Sequence, residues 1–159
     1  PAQPQALLAE LDNIRAMWQF AIAQQETALL AEAAHGLARL YAVTNQFAEG
    51  QVLFAQAVAG LAETAVPQTA PIVWGTLLGR YAMFLFRTGD LPAARDAAER
   101  SVAVLRGRED AEALAFSLNL LGTLHIQSGA FETAVPLLQK CADLYRQLGD
   151  PGLLKPLVN

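Results

Sequence analysis

The two stretches that decide the fold are residues 71–110, PIVWGTLLGRYAMFLFRTGDLPAARDAAERSVAVLRGRED, and residues 111–150, AEALAFSLNLLGTLHIQSGAFETAVPLLQKCADLYRQLGD. Laid one over the other they repeat with a period of 40. Pro71, Ala111 and Pro151 are in phase, as are Trp74, Leu114 and Leu154, and Leu78, Leu118 and Val158. Gly89 falls on Gly129, Ala94 on Ala134 and Asp110 on Asp150. A fixed period of this size marks a stacked array, in which a single unit leaves an apolar face open and neighbours cover it. Such a scaffold points to binding rather than catalysis.

Working outward, apolar residues recur at i, i+3, i+4 and i+7 along nearly the whole chain, and no stretch alternates with period two. The expected helices are 5–25, 27–44, 48–64, 71–87, 91–106, 110–127 and 131–148, with the start of an eighth after Asp150-Pro151. The first carries the stripe Leu7, Leu11, Ile14, Trp18 and Ile22. Pro71 and Pro92 suit first turns, where a missing N–H costs nothing. Asp110 suits an N-cap, and Pro136 bends the start of its helix. Thr64 to Pro71, with two prolines, reads as a loop.

The pairs share a grammar. A large residue and then a small one, Leu37-Ala38, Tyr81-Ala82 and Leu121-Gly122, lie on the first helix. A turn follows at Asn45, Gly89 and Gly129, then an apolar anchor at Phe47, Leu91 and Phe131. Small residues come next at Gly50, Ala94 and Ala134, and again at Ala57, Ser101 and Cys141. Small residues at these spacings let paired helices cross closely.

This pattern resembles the tetratricopeptide repeat over residues 27–159. The departures are Ala34, Leu78 and Leu118 where that family has Trp, no closing Pro, and a unit of 40 residues. The segment QLGDPGL at 147–153 and ELDNIRAMWQFAI at 10–22 resemble the sensor region of STAND-type signal-transduction ATPases and large LuxR-type transcriptional regulators. The resemblance implies an all-α, right-handed solenoid of seven to eight helices. Its expected divisions are an N-terminal helix at 1–26, repeats at 27–66, 67–108 and 109–148, and the start of a further repeat at 149–159. The chain begins at Pro1 without Met and stops at Asn159, in phase with mid-helix Asn119, so a longer parent is expected.

The chemistry of the sequence is sparse. Hydrophobic residues are 53% and charged ones 16%, too apolar for a disordered chain. Alanine, at 31 residues, is the commonest type and the best helix former. A net charge of −4 with no basic run disfavours nucleic acid. Arg106 and Arg108, with Arg100, read as a solvated helix end. No apolar run reaches the ~18 residues of a membrane span, and one cysteine makes a cytoplasmic location the simplest reading. His35 and His125 have no metal-ligand partner at suitable spacing. His125 reads as core packing, while His35 either meets a ligand or lies on the surface. Cys141 fills a small-residue slot as an inert thiol, and Ser101, Ser117 and Ser128 have no base. No Walker-type loop exists, since the only lysines are Lys140 and Lys155. No cofactor, metal or catalytic site is expected, and the chain is read as no enzyme.

The resemblance implies a concave groove lined by the first helix of each pair. Carried over by position, it shows Glu32, His35, Arg39, Thr76, Gly79, Met83, Phe86, Phe116, Asn119, Thr123 and Ile126. Met83, Phe86, Phe116 and Ile126 form an apolar strip that either meets a partner or packs between neighbouring helices. The carboxylate clamp of chaperone-binding repeats is missing, with His35 in place of its Lys and Arg39 in place of its Asn. The expected partner is a protein, peptide or small regulatory ligand. The alternatives are self-association through the cut C-terminal repeat and, last, a helical enzyme domain.

Overall fold

A computed structural model describes residues 4–149, with side chains from residue 12 onward. Among the described residues the chain is helical throughout, with no strand. The elements are α1 (Pro4–Gln24), α2 (Thr27–Val43), α3 (Phe47–Ala62), α4 (Val66–Thr69), α5 (Pro71–Thr88), α6 (Leu91–Leu105), α7 (Ala111–Gln127) and α8 (Phe131–Leu148). The eighth helix expected after Asp150, with Leu154 and Val158, lies outside the described residues.

Most of the turns close alike. Gln25, Asn45, Gly89, Gly107 and Gly129 all have positive φ, and Gly149 after α8 does too. At four of them the next N–H reaches back five residues. Glu26 donates to Ala21 O, Gln46 to Tyr41 O, Asp90 to Leu85 O and Ala130 to His125 O, all at 2.9 Å. This is the Schellman closure, which satisfies the last carbonyls of a helix and fixes the angle to the next. Aspartates start two helices. Asp90 Oδ1 accepts from Ala93 N at 3.2 Å, and Asp110 Oδ1 from Ala113 N at 2.8 Å. Pro71 and Pro92 fall in first turns. Pro136 sits inside α8, so the Glu132 carbonyl has no N–H there to accept from.

One expectation needs correction. The segment Thr64 to Pro71 is not only loop, because Val66–Thr69 forms a single helical turn, α4. Thr64 Oγ1 accepts from Val66 N at 3.1 Å, and Val66 is buried. An apolar anchor turns the longer spacer between the first two pairs into an ordered strap.

Packing is local in sequence, as in a solenoid. α2 packs on α3 and α5, α3 on α5, α5 on α6 and α7, α6 on α7, and α7 on α8. Among the first helices, α5 approaches both α2 and α7 directly, while no comparable approach joins α3 to α6 or α6 to α8. The α2/α5/α7 side is therefore the tighter, inner face of the array. Small residues make the crossings close. Ala94, Ala98, Ala57 and Ala82 are fully buried, and Ala134 is nearly so. A Cβ on Gly50 would stand 2.3 Å from the Phe84 ring.

The first pair departs from the other two. α2 packs less closely on α3 than α5 on α6 or α7 on α8, and α1 touches both α2 and α3. Trp18 of α1 is fully buried, and its Nε1 donates to the Leu53 carbonyl at 3.1 Å. Its ring lies 5.3 Å from that of Phe54, which lies 5.4 Å from Phe84. This tilted aromatic series ties α1, α3 and α5 into one core.

Candidate functional site

The residues singled out from the family resemblance lie on α2, α5 and α7, and the structure sorts them by exposure. On α2, Glu32, His35 and Arg39 are exposed. On α7, Ile126 is 43% exposed and Asn119 half-buried, while Phe86 on α5 and Phe116 on α7 are half-buried against the core. Met83, Gly79 and Thr123 are buried instead. The apolar strip is thus not continuous. α5 is the middle helix of the inner row, flanked by α2, α3, α6 and α7, so most of its circumference is covered. Gly79 is pressed toward α6 and α7. A Cβ on it would lie 2.7 Å from Ser117 Oγ and 3.1 Å from Ser101 Oγ. Thr123 spends its hydroxyl on the Asn119 carbonyl at 2.9 Å, as Thr76 does on Ile72 at 2.9 Å.

Within that face, α2, α5 and the N-terminal end of α7 enclose a cleft of about 320 Å³. Among the residues that line it is one not picked out from the repeat pattern, Arg80, which is only 9% exposed. Arg80 Nη2 donates to His35 Nδ1 at 3.1 Å, joining α5 to α2. Its guanidinium carbon stands 3.9 Å over the Phe116 ring, joining α5 to α7. Burial pushes the guanidinium below its ordinary range, and the nearby Glu112 and Asp110 partly counter that. Yet among the described residues no carboxylate comes within 4.0 Å of it. Asp110 and Glu112 line the same cleft, and Asp110 Oδ1 is engaged as the cap of α7. The sequence did hold a signal for Arg80. It is the single charged residue between Glu63 and Arg87, and a charge in so apolar a run is buried only with a purpose.

The remaining polar groups have structural work. The Ser101 hydroxyl donates to the Gly75 carbonyl at 2.7 Å and lies 2.8 Å from that of Ser117, both buried where α5, α6 and α7 meet. Ser128 Oγ donates to the His125 carbonyl. His125 itself is half-buried, with a buried Nδ1 that has no hydrogen-bond partner. Arg106 and Arg108 are exposed past the end of α6, where Arg108 Nε donates to the Val104 carbonyl. Cys141 is buried, and burial pushes its thiol up to about 11. Among the described residues, no three His, Cys, Asp or Glu side chains converge as for a metal ion. No described helix is long and apolar enough to cross a membrane.

This geometry has a counterpart among known families. Residues 75–147 match the tetratricopeptide repeat. The match runs from Gly75 in α5 to Gln147 in α8, the two pairs that pack most closely. It supports a tetratricopeptide-repeat array, a scaffold family that generally mediates protein–protein interaction. The first pair, altered by α1, lies before the matched stretch. A comparison with curated proteins gave no match.

Proposed function

We propose that this chain is a non-catalytic scaffold that binds a protein, a peptide or a small regulatory ligand on the α2/α5/α7 face. One observation carries the reading: α5 packs against both α2 and α7, and Glu32, His35 and Arg39 on α2 and Ile126 on α7 are exposed. Phe86, Phe116 and Asn119 supply a half-buried floor, and Met83 and Thr123 support it from below. Rigid, partly covered aromatics beside exposed polar residues are the composition of a recognition surface. Within a larger protein, such a module would serve as the sensor or interaction region of a signalling ATPase or transcription regulator in the cytoplasm. That assignment rests on the resemblance at 10–22 and 147–153.

The test is selection of binders from a displayed peptide library, followed by two kinds of variant. Ile126→Asp and Arg39→Glu, both at exposed positions, should abolish binding while leaving the circular dichroism spectrum unchanged. Val135→Asp on α8 should not affect it. The opposite pattern would reject the inner face.

A second reading is self-association, favoured by α8. Phe131 and Val135 on it are 61% and 52% exposed, a large apolar outlay for one helix. Mass measured in solution decides it. A dimer lost in Phe131→Asp supports self-association, and a concentration-independent monomer rejects it.

A further inference from the structure

The cleft around Arg80 has a composition that a general protein-binding groove does not need. A guanidinium nine-tenths buried faces an open space, and its direct partners are a neutral ring nitrogen and an aromatic face. Glu112 and Asp110 act on it only from beyond ion-pair distance, so a carboxylate that comes into direct contact with the guanidinium gains a charge-assisted bond that no described residue supplies. His35 adds to this. An imidazole that accepts at Nδ1 carries its proton on Nε2, and His35 also lines the cleft. On the α7 side the same cleft is lined by Asp110 and Glu112, neither within ion-pair reach of Arg80. Positive and negative groups thus line one cleft without pairing directly. Ile72 and Val73 give the same cleft an aliphatic wall. The volume of about 320 Å³ is at the small end of ligand pockets, suited to a metabolite rather than a folded segment.

We propose that this cleft binds a small zwitterion, an aliphatic α-amino acid, with its carboxylate on Arg80 and His35, its ammonium toward Asp110 and Glu112, and its side chain against Ile72 and Val73. The proposal deepens the binding reading above and rests on it: the amino acid is the regulatory ligand of the inner face. Charge arrangement gives the selectivity. A plain carboxylate meets Arg80 but is repelled by the two acids. A plain amine meets the acids but leaves Arg80 unpaired. Only a ligand with both groups a short distance apart satisfies each end. A free amino acid and a dipeptide share this chemistry, and they differ in the span between their charges.

The probes are L-leucine, leucinamide, N-acetylleucine and glycyl-leucine, titrated into the whole chain by calorimetry. Leucine should bind saturably. Leucinamide, without the carboxylate, and N-acetylleucine, without the ammonium, should each bind about tenfold or more weakly. Glycyl-leucine binding more tightly than leucine would favour the dipeptide source and keep the charge arrangement. Arg80→Met should abolish leucine binding. Glu112→Gln, at an exposed position that leaves the fold intact, should weaken leucine but not N-acetylleucine. If Arg80→Met fails to fold, the four ligands and the Glu112 variant still decide. No saturable binding of leucine or glycyl-leucine at millimolar concentration overturns the proposal, as does leucinamide binding as tightly as leucine. Peptide binders sensitive to Ile126→Asp, found alongside silent leucine titrations, would reject the amino-acid site and leave the scaffold reading standing.

Discussion

A buried side chain in this protein is decided by how near two helices must come. Ala94 and Ala134 sit at crossings with almost no exposed surface. Leucine at either position should overpack the site and lower stability by roughly 1–3 kcal/mol, read by chemical denaturation. Cys141 and Tyr145 on α8 are governed by desolvation. Burial raises the thiol from 9.0 to about 11 and the phenol from 10.0 to about 12. Both bind protons more tightly folded than unfolded. Their contribution is therefore full below pH 9 and is lost as pH rises through 11 and 12. Stability measured against pH should fall on that alkaline side, and the native thiol should resist a disulfide reagent at neutral pH that labels it at once in denaturant. The small-residue slots were legible in the sequence because their spacing repeats. Arg80 was marked only by being the single charge between Glu63 and Arg87, a signal that a periodic reading passes over because it has no counterpart in the other units. Whether Met83 meets a partner or packs in the core stayed open in the sequence for a related reason. Position on a first helix fixes which way a side chain leans, but the cover over α5 comes from five neighbouring helices.

At the scale of the element, the left-handed closure sets each helix pair. Gly89 and Gly129 adopt it with φ of 94° and 76°, freely for glycine. Gln25 and Asn45 adopt it with φ of 56°, at a cost for glutamine in particular. Gly89→Ala should destabilise by about 1 kcal/mol, and Gln25→Gly should stabilise by several tenths, the sign being the diagnostic. Thermal melts of both variants check this. A gain on Gly89→Ala would show that the turn is not held as described. These turns could be read ahead at Asn45, Gly89 and Gly129, since each follows its small residue by the same interval. The closure at Gln25 carried no such mark, because α1 is outside the repeat. The one-turn α4 was hidden too. Two prolines and polar residues signal a break, and only the burial of Val66 under tertiary contact makes a helix of it.

For the molecule as a whole, short-range stacking means that each helix pair is stabilised by its neighbours. The α5–α8 region holds the closest crossings, whereas α1 joins the first pair largely through Trp18. Trp18→Ala should cost about 3–5 kcal/mol, by loss of a buried ring and of its bond to Leu53. Hydrogen exchange on that variant should accelerate in α1–α3 before α5–α7. The helical array was readable from a period that no closed bundle would need, whereas the groove-lining role of the first helices came only from the family resemblance. The cleft was not, because it draws on three helices, and its Asp110 had already been given the role of a cap. The central claim is that α2, α5 and α7 form the binding face. Amide chemical shifts, followed by NMR while a peptide selected against the protein is added, test it most directly. The account predicts perturbations gathered on α2, α5 and α7 around His35, Asn119 and Ile126. Perturbations gathered on the outer faces of α3, α6 or α8, with the inner face silent, would contradict it.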